Sequence, residues 1–327
     1  MVSAPAAHAS DIAVVVATYR RAHLVGRALD SIAAQTRPPR EIVVVDDASG
    51  DDTAAVVAAW ARAHAAPVTF IAAETNGGAG VTRNLGMAAT SSPLIGFLDS
   101  DDEYLPDALE RLAAPFGDHR RAVVSFADAM QHWADGTPSR PMMRGCLSPD
   151  IDTVGLGDGL HRLADPPAAL LTTSMIPTCA ALFRRTAAEA VGWMPATRHG
   201  EDWIFWLKLA AQGEFLCRFD EVAIVHRDDD NLTGARHGTR HTQQLLAALL
   251  AIRDGRMGVP VPAAVRPRLD AAIVAEVAHW RYNVSRDGLS DYWRALGSAE
   301  GRETGGRWRH LLADPKGLAR AAWFSRG

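Results

Sequence analysis

The fold is decided by Ile12-Ala13-Val14-Val15-Val16-Ala17, a short apolar run rich in β-branched residues. The same strand pattern returns three times in the first hundred residues, at 41–46, 68–72 and 94–98. Stretches with a helical spacing of apolar residues lie between or after these runs, at 24–34, 52–64 and 80–89. Apolar strands alternating with amphipathic helices are typical of a parallel sheet that helices cover on both faces. We therefore predict an α/β fold with a mostly parallel, Rossmann-like sheet.

The rest of the chain suggests how the molecule is divided. A strand is predicted at 121–127, a helix at 203–212 and a strand at 215–225. Residues 131–167 are rich in Gly, Pro and Asp and are predicted as a loop-rich region, of a length that is usually functional or mobile. Beyond residue 241 the pattern is helical. We predict a flexible N-terminus (1–10), a main domain (11–238) and a helical C-terminal region (239–327).

Composition excludes several classes of protein. The chain has 327 residues and a net charge of -4, whereas a dedicated nucleic-acid binder is usually basic, so no nucleic acid is expected as a partner. The three cysteines form no CxxC pair, which indicates isolated buried thiols in a reducing compartment. No secretory signal and no apolar run of membrane-spanning length is present. We expect a cytoplasmic protein, with peripheral contact at the inner face of the membrane as an alternative.

Polar residues gather where the predicted strands end, which is where ligands bind in such sheets. The most informative stretch is Phe97-Leu98-Asp99-Ser100-Asp101-Asp102. Asp99 and Asp101 are two residues apart, so in extended backbone their carboxylates emerge on the same side. Hard cations such as Mg²⁺ and Mn²⁺ prefer carboxylate ligands and can offset the charge of a diphosphate leaving group. An acidic helix start is the structural alternative.

Three other stretches end or follow strands. Thr18-Tyr19-Arg20 offers backbone groups and a ring for a base, although a turn tyrosine is the plainer interpretation. Asp46-Asp47 could accept a hydrogen bond from a uracil ring or cap the next helix. A Gly-rich turn at residues 76–80 leads to Arg83, which could neutralise phosphate charge.

In order, these motifs are V-V-A-T-Y-R, V-V-D-D-A-S-G-D-D-T, N-G-G-A-G-V-T-R-N-L-G and F-L-D-S-D-D-E-Y-L-P. Together they resemble the family 2 glycosyltransferases of the GT-A fold, over roughly residues 11–235. The resemblance implies a metal held by Asp101 with Asp99 and with a strand-end histidine, His226. It implies nucleotide or donor contacts from a larger set: Thr18, Tyr19, Arg20, Asp46, Asp47, Arg83, Asp99, Ser100 and His226.

A later stretch, His199-Gly200-Glu201-Asp202-Trp203, resembles the second half of the family pattern. An inverting transfer needs a carboxylate that takes the proton of the acceptor hydroxyl. The resemblance implies that Asp202 is this base and that Glu201 contacts donor or acceptor, whereas a capping pair at a helix start is the alternative. Trp203 and Trp206 are candidates for sugar stacking, with core packing left open.

The resemblance implies an inverting, Mn²⁺- or Mg²⁺-dependent enzyme that moves a sugar from a nucleotide-sugar, with UDP as the expected nucleotide, to an acceptor hydroxyl. A sugar or lipid-linked sugar is the expected acceptor, in the assembly of a polysaccharide, glycolipid or other glycoconjugate. The Q-x-x-R-W motif of processive members is absent, which favours addition of a single sugar. A sugar nucleotidyltransferase is an alternative, although Thr18-Tyr19-Arg20-Arg21 lacks its Gly-rich signature. A catalytically inactive nucleotide-sugar-binding module is another.

The last segment, from Arg302 onward, combines six basic residues and two acids with Trp308, Trp323 and Phe324. A basic segment interleaved with aromatic residues is suited to an anionic membrane surface. Packing on the domain, or on a second subunit in a homodimer, is the alternative.

Overall fold

The computed structural model describes residues 11–144, 151–198, 200–227 and 238–325. The chain divides into two compact units, Met1–Arg227 and Asp228–Gly327. The predicted flexible N-terminus, 1–10, lies outside the described residues. So do residues 228–237, next to the predicted domain boundary at 238, and the boundary therefore stays a prediction. Cys179 and Cys217 are buried free thiols, while Cys146 lies outside the described part.

The first unit is built on one mixed sheet. Its strands are β1 (Ile12–Thr18), β2 (Glu41–Asp46), β3 (Val68–Ala72), β4 (Leu94–Asp99), β5 (Glu103–Tyr104), β6 (Ala122–Trp133), β7 (Arg140–Pro141), β8 (Thr153–Gly157), β9 (Leu160–Leu163), β10 (Ala181–Arg184) and β11 (Glu214–Arg227). The main path runs β3-β2-β1-β4-β10-β6-β11-β9-β8, with β5 paired to β11 and β7 to β6. Neighbours among β1 to β4 are parallel, as are β6 and β11, whereas β10 is antiparallel to both β4 and β6. The long strands therefore share one direction, as the sequence predicts.

Helices cover both faces of this sheet. They are α1 (Val25–Ala33), α2 (Thr53–His64), α3 (Ala79–Ala88), α4 (Ala108–Ala113), α5 (Pro115–Asp118), α6 (Pro166–Thr172), α7 (Arg185–Ala190) and α8 (Glu201–Leu209), with a 3₁₀ turn at Thr178–Ala180. Because side chains alternate along β1, Val14 belongs to the apolar cluster that includes α1, α2 and α4. Val15 points to the other face, against α3, where a Cβ on Gly86 would lie 2.2 Å from Val15 Cγ1.

The sequence predicts a loop-rich region at 131–167 and does not predict the strands within it. Part of that range is a hairpin of β8 and β9, and β9 pairs with β11 at the far side of the sheet. Its turn is Gly157-Asp158-Gly159, in which all three residues have positive φ, 97°, 51° and 73°. Two glycines around an aspartate satisfy such a turn. Glycines and exposed side chains weaken the apolar alternation of β8, so periodicity alone does not reveal it.

The second unit is helical where it is described, as predicted. Its helices are α9 (Gly238–Arg253), α10 (Arg266–Val284), α11 (Leu289–Leu296), α12 (Ala299–Glu303), α13 (Gly306–Ala313) and α14 (Gly317–Phe324). Large side chains such as Trp280 and Tyr292 fill its interior. In the part of the chain that the structure describes, no helix combines the length and apolar character needed to cross a bilayer.

Candidate active site

The strand ends bring the predicted polar residues to one edge of the sheet. In the parallel pairing of β1 with β2, Thr18 lies beside Asp46, and in the pairing of β1 with β4, Ala17 lies beside Asp99. The backbone N–H of Asp47 donates to the Thr18 carbonyl at 2.9 Å, and that of Ser100 to the Ala17 carbonyl at 3.3 Å. The carboxyl ends of three neighbouring strands therefore converge, which is the usual place for a ligand in such a sheet.

The turn after β1 presents an aromatic ring to solvent. Thr18 is buried, whereas Tyr19 is 41% exposed. The Arg20 guanidinium carbon lies 5.1 Å from the centre of the Tyr19 ring, and the Arg20 backbone N–H donates to Ser49 Oγ at 2.7 Å. The Thr18 hydroxyl has no hydrogen-bond partner among the described residues. A buried hydroxyl of this kind, next to an exposed ring, suits contact with a bound ligand.

Asp46 and Asp47 have different partners. Asp46 accepts hydrogen bonds from the backbone N–H and the hydroxyl of Ser49, which fixes the turn after β2. Asp47 accepts one hydrogen bond on each carboxylate oxygen, from the N–H groups of Gly77 and Gly78, both at 2.8 Å. Asp47 thus ties the β2 turn to the Gly-rich turn before α3. Each Asp47 oxygen keeps a further acceptor position, so the predicted nucleoside contact stays a prediction.

Arg83 joins the two halves of the sequence pattern. It lies on α3, is 4% exposed, and donates from Nη2 to Asp99 Oδ1 at 2.7 Å and from Nη1 to Glu201 Oε1 at 3.0 Å. Burial opposes the charge, but the carboxylates of Asp99 and Glu201 outweigh it, and the pKa of Arg83 is raised. In the structure its partners are these two carboxylates, so the predicted diphosphate contact stays a prediction. A buried cation with two carboxylates is a rigid link between motifs 118 positions apart.

Glu201 and Asp202 begin helix α8. Glu201 is buried, and burial together with the neighbouring Asp202 charge raises its pKa to about 7 even though Arg83 counteracts them. A Cβ on Gly80 would lie 2.9 Å from the Pro195 carbonyl oxygen and 3.1 Å from Glu201 Cβ. Glycine at this position therefore allows α3 to approach α8, which the bridge through Arg83 requires.

The Asp202 carboxylate is held at both oxygens. Oδ2 accepts from the hydroxyl of Thr178 at 2.8 Å, and Oδ1 accepts from the backbone N–H of Trp203 at 2.7 Å. Asp202 remains half-buried. A carboxylate in a fixed orientation with partial access to solvent can accept a proton from a hydroxyl group.

Several acids are crowded between β4 and β5. Asp101 lies 3.9 Å from Arg21, measured between Oδ2 and Nη2, and is partly exposed. Asp102 is buried, and its Oδ1 accepts a hydrogen bond from the backbone N–H of His226 at 3.1 Å. Its pKa is raised well above the ordinary value, first by burial and then by the charges of Asp99 and Asp101. This excess of negative charge suits a cation, and the carboxylate chemistry fits Mg²⁺ or Mn²⁺.

His226, the third predicted metal ligand, makes a contact with another residue. Its Nε2 lies 2.7 Å from Glu103 Oε1, and its ring meets that of His132 edge-on at 6.0 Å. Within the described ranges, no group of three or more His, Cys, Asp or Glu side chains is placed to hold one ion. The structure therefore does not gather Asp99, Asp101 and His226 into one set, and their metal binding stays a prediction.

Trp203 and Trp206 belong to the core. They are 6% and 1% exposed, and Trp203 Nε1 donates to the Leu170 carbonyl at 2.7 Å. Trp206 packs against Phe183 at 5.9 Å between ring centres. Of the two interpretations of these residues, the structure favours core packing over sugar stacking.

Sequence reasoning did not connect Thr178 with Asp202 or Glu103 with His226. Thr178 orients Asp202, and Glu103 contacts both His226 and Arg27. Both contacts join residues far apart in the chain, so local spacing gives no signal for them. Glu103 follows the acidic stretch directly and could have been included on proximity alone.

Comparisons with known proteins identify relatives of this chain. A search of curated proteins finds the succinoglycan biosynthesis proteins ExoO and ExoU of Rhizobium meliloti (strain 1021). ExoO is 43% identical over 102 residues, 31% of this chain and 28% of ExoO, so the match covers well under two thirds of that relative. ExoU is 30% identical over 270 residues, 80% of this chain and 75% of ExoU. A GalNAc(5)-diNAcBac-PP-undecaprenol beta-1,3-glucosyltransferase of Campylobacter jejuni is 35% identical over 101 residues, 31% of this chain and 33% of that protein.

Solved structures share the fold. S. aureus TarS (1–349) in complex with UDP-GlcNAc aligns with a TM-score of 0.54 and 18% identity, covering 89% of this chain and 88% of that one. The mannosyltransferase PcManGT of Pyrobaculum calidifontis, in complex with GDP-Man and Mn²⁺, aligns with a TM-score of 0.61 and 19% identity, covering 97% and 84%. The predicted GT-A fold with helical C-terminal elements is confirmed.

A match to a protein-family model shows the family of this chain. The model described as "Glycosyl transferase family 2" matches residues 13–192, more than half of the chain. This range begins one residue inside β1 and contains β2 to β4 and the strand-end motifs. The chain is a glycosyltransferase and belongs to glycosyl transferase family 2.

Proposed function

We propose that the enzyme transfers a single sugar from a UDP-sugar to an acceptor hydroxyl, with inversion at the anomeric carbon and with a divalent cation. The bridge from Asp99 through Arg83 to Glu201 carries the proposal. It ties the donor-side motif at the end of β4 to the start of α8, where the next residue is Asp202. One site thus contains groups for a diphosphate and a carboxylate for the acceptor.

On the donor side, the residues of the first three strand ends would hold the nucleotide. The exposed Tyr19 ring can stack on a base, and the buried Thr18 hydroxyl is available for a hydrogen bond. TarS, with a related fold, binds UDP-GlcNAc, which supports the choice of a UDP-sugar. Asp101, with Asp99 in support, would hold the cation, and the bound cation would offset the charge of the leaving diphosphate. Mn²⁺ accompanies GDP-Man in PcManGT.

On the acceptor side, Asp202 takes the proton of the attacking hydroxyl. Thr178 and the Trp203 N–H fix its carboxylate plane, so that the basic oxygen is already oriented when the acceptor binds. An inverting reaction needs only one such base, because attack and departure occur on opposite faces of the sugar. Glu201 forms an ion pair with Arg83 and positions the Arg83 guanidinium.

The names of the relatives suggest the biological setting. ExoO and ExoU are named for succinoglycan biosynthesis, and the Campylobacter jejuni protein for action on an undecaprenol-linked sugar. We propose a role in polysaccharide assembly, with a sugar or lipid-linked sugar as acceptor.

A donor screen tests the proposal. The enzyme is incubated with UDP-, GDP- and dTDP-sugars together with Mn²⁺, Mg²⁺ or EDTA, and released nucleotide is measured. We expect release from a UDP-sugar that needs a divalent cation, and a product whose anomeric configuration by NMR is opposite to that of the donor. If no donor reacts with a cation present and calorimetry detects no UDP binding, the proposed donor chemistry is wrong.

A further inference from the structure

The second unit carries large apolar side chains on its surface. Helix α13 exposes Trp308 to 77% and Leu312 to 81%, and α14 exposes Trp323 to 73%. Burial of a Trp or Leu side chain normally stabilises a fold by about 2 kcal/mol or more, so these three side chains forgo that stabilisation in the fold. Exposed apolar side chains grouped in this way mark an interaction surface.

The two large exposed apolar residues of α13 lie on one face. Trp308 and Leu312 are four residues apart, which places them together on a helix, while His310 is buried on the opposite side. Arg309 is exposed between them in sequence, and Arg307 contacts Trp293 of α11, with its guanidinium carbon 5.0 Å from the centre of that ring. We call Trp293, Arg307, Trp308, Arg309 and Leu312 the basic–aromatic surface.

The last segment has more basic residues than acids, and several of its positive charges have no acidic partner among the described residues. The two acids of the last segment, Glu303 and Asp314, form ion pairs with Arg253 and Arg320. Arg307, Arg309 and Lys316 form no ion pair with any residue that the structure describes. The apolar side chains are therefore accompanied by cations that are not matched within the fold.

Helix α14 carries a similar combination of exposed aromatic side chains with a neighbouring basic side chain. Helix α14 packs against α11 and exposes Trp323 and Phe324. The Arg286 guanidinium carbon lies 5.7 Å from the centre of the Phe324 ring. Exposed aromatic rings with a neighbouring arginine thus occur at both α13 and α14.

We propose that the basic–aromatic surface binds anionic lipid bilayers. Trp and Leu side chains insert at the boundary between headgroups and acyl chains, where amphipathic rings are favoured. Arginines beside them gain from the negative potential of anionic headgroups. A second copy of this surface is a poorer partner, because like charges would meet.

Vesicle co-sedimentation with the full chain tests this proposal without any substrate. Vesicles of phosphatidylcholine mixed with phosphatidylglycerol in equal parts are compared with pure phosphatidylcholine. We expect binding to the anionic vesicles that weakens with added salt. Arg307→Gln with Arg309→Gln should lower the affinity about 30-fold, the equivalent of about 1 kcal/mol for each basic residue. Trp308→Ala with Leu312→Ala should lower it about tenfold or more.

The control removes two exposed apolar side chains elsewhere. Val154 and Leu156 of β8 are 42% and 38% exposed, and Val154→Ala with Leu156→Ala should bind vesicles like the wild type. Circular dichroism and thermal unfolding of each variant verify the fold. Equal binding to neutral and anionic vesicles would overturn the proposal, as would unchanged binding by both surface variants. A dimer in light scattering that Trp308→Ala abolishes, with no vesicle binding, would show instead that a second copy covers the surface.

Discussion

At the scale of single residues, Asp101 and Asp202 have separate predicted tasks. Asp101→Ala removes a carboxylate on the donor side and should abolish cation-dependent UDP binding in calorimetry. Asp202→Asn keeps the size and one acceptor oxygen for the Trp203 N–H, and its NH2 group can donate to the Thr178 hydroxyl. The amide cannot take a proton, so UDP should bind as before while sugar transfer falls by about 10³-fold or more. Transfer by Asp202→Asn at a near-normal rate would exclude Asp202 as the base.

Thr178 should affect the reaction through Asp202. Its hydroxyl donates to Asp202 Oδ2 at 2.8 Å, and a hydrogen bond to a charged group contributes about 1.5–3 kcal/mol. Thr178→Val keeps the shape but removes the donor, so we expect kcat to fall about tenfold or more with little change in the donor KM. Thr178→Ser, which keeps the hydroxyl, is the matched control and should retain most of the activity. Equal losses in the two variants would mean that packing, and not the hydrogen bond, matters at this position.

Glu201 gives the fold a dependence on pH. Burial first, and then the charge of Asp202, raises its pKa to about 7, from 4.5 in the unfolded chain. The folded protein therefore holds this proton over a pH range in which the unfolded chain has lost it. Stability from this group is full below about pH 4.5, falls as pH rises towards 7, and stays lowered above that. In urea unfolding without added metal, the wild type should lose about 2–3 kcal/mol more than Glu201→Gln between pH 5 and pH 8.

Other groups titrate in both proteins, so the effect of Glu201 is the difference between the wild type and Glu201→Gln in how the free energy of unfolding changes with pH. Parallel curves for wild type and Glu201→Gln would show that the Glu201 carboxyl ionises normally in the fold. In that case Arg83 alone would compensate the burial of this carboxylate.

At the scale of elements, the sequence predicts β1 to β4 and α1 to α3 to within a residue or two of their ends. The buried strands β1, β2 and β4 leave a strong local signal, because both faces of each strand must be apolar. The hairpin of β8 and β9 leaves a weak one, since Val154 and Leu156 are exposed there. The bridge through Arg83 has no local signal, because it depends on how closely α3 approaches α8.

Gly86 controls how closely α3 approaches the sheet. A Cβ there would lie 2.2 Å from Val15 Cγ1 and 3.2 Å from Val45 Cγ2. Gly86→Ala should therefore destabilise the protein by about 1–3 kcal/mol, as overpacking of a core does. Gly26 on α1 is the matched control, since nothing lies within 4 Å of a Cβ at that position. Gly26→Ala should leave the free energy of unfolding unchanged or raise it by about 0.5–1 kcal/mol in urea unfolding. A Gly86→Ala variant as stable as Gly26→Ala would contradict the close packing of α3.

At the scale of the whole molecule, the described site residues all belong to the first compact unit, Met1–Arg227. A ligand that binds only the folded form of one unit stabilises that unit by RT ln(1 + [L]/Kd). We expect UDP with Mn²⁺ to raise the unfolding temperature of the first unit in calorimetry. At a ligand concentration about 100 times Kd the stabilisation is about 2.7 kcal/mol. If the second unit unfolds in a separate transition, its temperature should not change.

Asp101→Ala distinguishes specific binding from a general effect of the cation in that experiment. In this variant, UDP with Mn²⁺ should shift the first transition no more than Mn²⁺ alone does. Asp202→Asn should show the full wild-type shift in unfolding temperature, because this substitution removes the base for proton transfer and leaves nucleotide binding unchanged. If UDP moved both transitions equally in the wild type, the nucleotide would bind groups of both units. The assignment of the donor site to the strand ends of the first unit would then be incomplete.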